Sequence, residues 1–160
     1  MKALTIWQPW ATLLASGKKH IETRSRKINY RGEILIHAAK KPYIDGIALM
    51  NLEALEYLKK ALNLPAVKIE SDWTAYTNKL PSGVIIGKAV LTDCQQIDQE
   101  YEDFIKNICP AEYAFGDFTP GRYAWVMEDP VLFNNPIPAR GSQGLWNWEG
   151  ELSDATNKTV

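Results

Sequence analysis

Apolar and polar positions alternate from the start of the chain. Leu4 and Ile6 are set apart by Ala3 and Thr5, the pattern of a short strand. Pro9 suits a first helical position, where its missing N–H is not needed. Trp10, Leu13 and Leu14 follow at helical spacing, and Ser16-Gly17 closes the helix, with Gly17 in the left-handed position past its end. Two turns are too short to persist without packing. His20 to Arg24 alternates again, with Ile21 and Thr23 facing inward and His20, Glu22 and Arg24 on the other face. Arg31-Gly32 predicts a turn. Glu33 to Ala39 predicts a strand with Ile34, Ile36 and Ala38 on one side, Leu35 and His37 on the other, ended by Pro42.

Residues 43–62 carry a helical period in Ile44, Ile47, Ala48, Asn51, Leu55, Leu58 and Leu62, stopped by Asn63 and Pro65. Residues 66–80 read as irregular, anchored by Trp73 and Tyr76. After a Pro81-Ser82-Gly83 turn, Val84 to Leu91 is nearly continuous apolar sequence, as in a strand buried on both faces, with Gly87 marking a bend or bulge. Tyr101, Phe104, Ile105 and Ile108 give a further helical stripe that stops before Pro110. A strand follows from Arg122 to Met127, then a short extended piece from Val131 to Phe133, and Pro136 and Pro138 demote the next residues to loop or edge. Leu145 to Glu149 is a last strand with Trp146 and Trp148 on one face. About seven short strands with helices in two long connections predict an α+β, mainly β domain. The expected architecture is a small, mixed, partly open β-barrel with peripheral helices. It spans residues 1–149 and leaves a polar, frayed tail from Gly150.

Composition narrows the class. At 160 residues, 46% hydrophobic and 23% charged, the chain is one globular domain with a substantial core. It has no apolar run long enough for a membrane helix and no signal-peptide pattern. Cys94 and Cys109 lack paired spacing and read as free thiols in a cytoplasmic setting. No metal-ligand spacing, Walker loop, GxGxxG or GxSxG occurs, so neither a metal nor a cofactor is expected. The net charge of −1 argues against bulk-charge binding of nucleic acid, but its distribution is uneven. Residues 18–41 hold eight cations against Glu22 and Glu33, a local +6 on an acidic body. Such a patch suits a local anionic ligand; the bland alternative is a solvated face.

The blocks WQPWATLLASGKKHIETRS, YRGEILIHAA, PSGVIIGKA and PIPARG closely resemble the ASCH family (activating signal cointegrator homology), of the PUA-like superfamily of small β-barrels. The resemblance runs over roughly residues 3–148. It implies a pseudo-barrel with a cleft beside the first helix, and RNA or a nucleotide as partner. Its Q-P and G-x-K-x-x-E-x-R patterns fall on Gln8, Pro9, Gly17, Lys19, Glu22 and Arg24. One hydrolytic branch deacylates N4-acetylcytidine with a Lys, a Thr three residues later and a distant Glu. Lys19 matches that Lys, but Glu22 stands where the Thr would be, and Glu100, Glu102 and Glu112 all compete for the distant Glu.

The candidate ligand-binding set is therefore Trp7, Gln8, Trp10, Lys19, Glu22, Arg24 and Arg26, with Lys19 and Glu22 catalytic only if the chain is an enzyme. Lys19 and Glu22 would lie on opposite faces of a regular strand, so they converge only if the chain turns after Gly17. Glu22 would then hold Lys19 or accept a base amino group; a plain surface ion pair is the alternative, worth ~0–1 kcal/mol. Arg24 and Arg26 offer forks for phosphate. Trp7 and Trp10 offer stacking platforms, and Gln8 can pair both ways with a base edge. His20 and His37 could serve metal-independent RNA cleavage but read better as structural. Gly141-Ser142-Gln143-Gly144 reads as a loop. The leading expectation is an RNA- or nucleotide-binding module. A modified-cytidine hydrolase or metal-independent ribonuclease comes second, and a protein-interaction adaptor in transcription or translation control third.

Overall fold

The computed structural model of the chain describes residues 1–40, 49–64 and 79–152. The expected anchors Trp73 and Tyr76, and residues 153–160 of the tail, lie outside the described residues. Strand β1 (Lys2–Ile6) leads into helix α1 (Trp10–Ala15), then β2 (Ile21–Arg24) and β3 (Gly32–Ala38). Helix α2 (Leu52–Ala61), strand β4 (Val84–Gln96), helices α3 (Gln99–Ile108) and α4 (Pro110–Ala114), and strands β5 (Tyr123–Pro138) and β6 (Leu145–Asn147) follow. The six strands form one mixed sheet in the order β2-β5-β4-β3-β1-β6, curved into a half-barrel with helices outside it. Among the described strands only β1 and β3 pair in parallel, with Leu4 opposite Ile36.

Both faces of the sheet are covered, and strand alternation assigns them. Leu4, Ile6, Ile34 and Ile36 pack beneath α1 against its Ala11, Leu14 and Ala15. Their neighbours Ala3 and Leu35 face the opposite layer with Ile85, Phe133, Trp146 and Trp148. Leu152, within the expected frayed tail, packs against this layer too. Gly17 takes φ +71 just past α1, where Lys18 N–H reaches Leu13 O (2.8 Å) and Gly17 N–H reaches Leu14 O (3.1 Å). That pairing ends the helix in a Schellman turn and reverses the chain toward β2.

Four expectations need correction. Pro9 is the N-cap of α1, not its first residue. Of the helix expected over 43–62, residues 43–48 lie outside the described residues, and the described part is shorter than expected: Asn51 is extended (φ −78°, ψ 171°) and caps α2, its Oδ1 accepting Ala54 N–H at 2.8 Å. On α3, Ile105 is buried and Tyr101 packs beside it, whereas Phe104 and Ile108 are exposed. Finally, the pieces expected at 122–127 and 131–133 are one 16-residue strand, which accounts for six strands rather than seven. Asp129 and Pro130 fall in a bulge between the pairs Val90–Glu128 and Lys88–Val131, so Pro130 owes no ladder hydrogen bond. Pro136 falls in a second irregularity, and Pro138 lies where β5 has β4 on one side only. Gly87 sits at one of these shifts, and a Cβ there would collide with the Val131 carbonyl oxygen.

Candidate functional site

A cleft of about 1140 Å³ opens between the start of α1, the β2 strand, the α4–β5 connection and the 141–144 loop. Of the candidate ligand-binding residues, Trp7, Trp10, Glu22 and Arg24 line it. Gln8, Lys19 and Arg26 do not.

Gln8 is 1% exposed, and its amide is consumed by the fold. Its Nε2 donates to Pro81 O (2.8 Å), and its Oε1 accepts from Thr12 N–H (3.1 Å) and the Thr12 hydroxyl (2.9 Å). It caps α1 and ties it to the β4 approach, in place of the base-pairing role expected from its type. Arg26 is exposed outside the cleft, and its carbonyl accepts the Trp125 indole N–H at 3.0 Å.

Lys19 lies under the cleft floor, 1% exposed. The Schellman turn swings it beneath β2, where its ammonium donates to Ile21 O. Glu22 Oε2 stands 3.9 Å away and Glu112 Oε1 3.7 Å away. The turn after Gly17 thus brings Lys19 and Glu22 to one place. Glu112, from α4, also accepts the backbone N–H groups of His20 and Ile21, both at 2.9 Å. Of the three competing glutamates, Glu112 alone meets Lys19; Glu102 lines the far wall of the cleft and accepts the Tyr113 phenol at 2.9 Å.

Arg24 joins floor to wall. Its Nε donates to Glu22 Oε1 (3.0 Å), its Nη2 donates to Thr5 O (3.1 Å), and its guanidinium lies 6.0 Å from the Trp125 ring centre. Across the cleft, the Thr119 hydroxyl donates to Asp117 and holds that carboxyl below its usual range, with Arg122 adding to the effect. The hydrogen bond to Glu102 raises the Tyr113 phenol above its usual pKa of 10.0, so it stays protonated at neutral pH.

The two histidines do not meet in the cleft. His20 is exposed and does not line it. His37 is buried at the cleft edge; its Nε2 donates to Ala139 O (3.1 Å) and its Nδ1 accepts from the Thr5 hydroxyl (3.3 Å), which in turn accepts the Trp146 indole N–H (3.0 Å). Burial pushes the His37 imidazole below its usual pKa of 6.5, so the network holds the neutral ring. The 141–144 loop packs on that ring so closely that a Cβ at Gly141 would overlap it. That loop lines the cleft, a role its weak Gly-x-x-Gly spacing did not signal. Among the described residues no group of three His, Cys, Asp or Glu side chains is placed to hold a metal, and no helix is long and apolar enough to cross a membrane. Cys94 and Cys109 are both free thiols.

The family description "ASCH domain" matches residues 4–137, and the chain belongs to that family. It is similar to Activating signal cointegrator 1 of Homo sapiens (24% identical) and of Mus musculus (23% identical), each over 159 residues and 97% of this chain. The chain spans only 23% of the length of either relative. Among solved structures it resembles the ASCH protein of Zymomonas mobilis, with a TM-score of 0.54 and 17% identity over 95% of this chain and 90% of that one. A Tyr-to-Phe variant of the same protein gives a TM-score of 0.52 and 16% identity over 92% and 89%. At these identities the likeness establishes the fold, a PUA-like half-barrel.

Proposed function

We propose that the chain is an RNA- or nucleotide-binding module and that the ligand sits in the cleft beside α1. The observation that supports this reading is the pairing of two unlike surfaces in one cleft. Trp7, 39% exposed, and the half-buried Trp10 supply flat apolar area, while Glu22 and Arg24 in the same lining supply an acceptor and a donor. A base needs both, a face to stack on and an edge to pair with. Titration of the protein with short single-stranded RNA, followed by tryptophan fluorescence and calorimetry, tests it. Trp7→Ala should weaken binding about 5- to 150-fold, the range for one lost stacking contact, with circular dichroism unchanged. RNA that binds equally well to wild type and variant, or to neither, sinks the reading.

A hydrolase acting on N4-acetylcytidine is the second reading, favoured by Glu112 lying 3.7 Å from Lys19. Against it, Lys19 is sealed under the floor and bonded to a carbonyl. Thr23, the nearest hydroxyl in sequence to the matching position, accepts Asp117 N–H at 3.0 Å. Nucleophilic amide cleavage needs a hydroxyl or thiol within reach of a base.

A further inference from the structure

Glu22 is 9% exposed and its two oxygens differ. Oε1 accepts the Arg24 Nε–H at 3.0 Å. Among the described residues Oε2 has only the Lys19 ammonium at 3.9 Å, beyond hydrogen-bond range. Among the described residues no fully buried side-chain oxygen or nitrogen lacks a hydrogen-bond partner. Oε2, which has none among the described residues, therefore keeps some access to solvent, and Glu22 lines the cleft. An ionised carboxylate only accepts, so whatever meets Oε2 must bring an N–H or O–H. A phosphate dianion brings neither.

The rest of the lining points the same way. Glu53, Glu102 and Asp117 share the cleft with Lys40 and Arg122. With the Glu22–Arg24 pair included, four carboxylates face three cations among the described lining residues, and His37 is held neutral. Arg24 is also largely committed, through Nε to Glu22 and through Nη2 to Thr5 O. A phosphate chain inside would meet a net negative wall, whereas a neutral base edge would not. An imide N–H, as in uracil, lies between two carbonyl oxygens and would press one of them toward the carboxylate. An exocyclic amino group projects clear of the ring and carries two N–H donors.

We infer that the cleft takes an amino-bearing nucleobase, with one exocyclic N–H donated to Glu22 Oε2 and the phosphates left outside. Lys19 and Glu112 then act as positioning residues that fix the reading carboxylate from below. This inference rests on the nucleotide-binding reading of the cleft.

Nucleoside pairs that differ by one amino group test it on the intact chain by calorimetry: cytidine and zebularine, adenosine and purine riboside, guanosine and inosine. For the base that fits, deleting the amino group should weaken binding about 5- to 150-fold. Adding a 5′-phosphate should bring no gain in affinity, and Glu22→Met, which removes the acceptor, should abolish the discrimination. If Glu22→Met fails to fold, the wild-type pairs decide alone. Equal affinity for both members of every pair overturns the inference and leaves the nucleotide-binding reading standing, as does a large gain from the 5′-phosphate. If neither a nucleoside nor single-stranded RNA binds, both fall together.

Discussion

Between Lys18 and Arg31 the chain carries two sets of charges that look alike in sequence and part company in the fold. Lys19 and Glu22 are buried, joined by Glu112 from a helix more than ninety residues away. Arg26 and Lys27, a few residues on, are exposed and make no ion pair with a described residue. The first set lies at the floor of the cleft, the second forms an exposed lip just past the end of β2. A charge taken out of water must be matched where it lies, so it becomes part of the architecture. A charge left in water stays available to a partner. The local +6 is therefore not a uniform anion-binding surface. Lys19 is internal, Arg24 is tied to Glu22, and Arg31 pairs with Asp93 at 3.4 Å.

The largest effect that can break this contrast is expected at Lys19. Lys19→Met leaves the Glu22 and Glu112 carboxylates facing each other without the ammonium between them. The expected loss is about 3–5 kcal/mol of a total of about 5–15, read by urea unfolding. Glu112→Gln in the same chain should recover part of it, giving a coupling of roughly 0.5–3 kcal/mol in a double-mutant cycle. A loss below ~1 kcal/mol at Lys19 would put floor and lip in the same class.

A smaller effect is expected at Gln8, which sharpens the contrast within the Gln-Pro-Trp segment itself. Gln8→Ala strands the Pro81 carbonyl and the Thr12 N–H and should cost about 1–3 kcal/mol of stability. At temperatures where the variant is fully folded, its affinity for ligand should be close to that of wild type. Trp7→Ala should do the reverse. If Gln8→Ala instead loses affinity at full stability, Gln8 belongs to the reading wall.

Much of the fold was legible because it rests on local rules. The alternation through Ile34, Leu35, Ile36 and His37 assigned the faces of β3, and Gly17 marked the end of α1, because both depend on near neighbours. Sequence reasoning failed where a distant segment decides. Gln8 was read as a free base reader because its true partner, Pro81, is 73 residues away. Glu112 could not be told from Glu100 and Glu102 because helix packing, not spacing, carries it to Lys19. Strand β5 read as fragments because its prolines signal a break. Only the pairing with β4 reveals that they fall in bulges and on the open edge. Glu22 and Arg24 were legible as sharing one side of β2, and both line the cleft, because the strand's period puts them on one face. Arg26, next in that period, lies past the end of β2, and the sequence does not print that end.

The smallest effect is expected at the lip, and its form matters more than its size. If the cleft takes the base and excludes phosphate, the backbone of a bound RNA must pass over something outside. Arg26 is two residues beyond Arg24, and its carbonyl holds the Trp125 indole that the Arg24 guanidinium overlies. It is therefore the nearest exposed cation that follows Arg24 along the chain. Each phosphate neutralised on a single strand contributes about −0.7 to the slope of log affinity against log salt. Arg26→Ala should lower the magnitude of that slope by about 0.7 for a short single-stranded RNA. Stability should change by no more than about 0.5 kcal/mol, because an exposed side chain with no ion pair to a described residue supports little. Nucleoside affinity should not change, because a nucleoside has no phosphate to lose. Titrations at several salt concentrations, run with RNA and with the nucleoside side by side, separate the outcomes. An unchanged slope makes the lip a solvated face. A fall in nucleoside affinity would place Arg26 inside the reading site and erase the distinction between floor and lip.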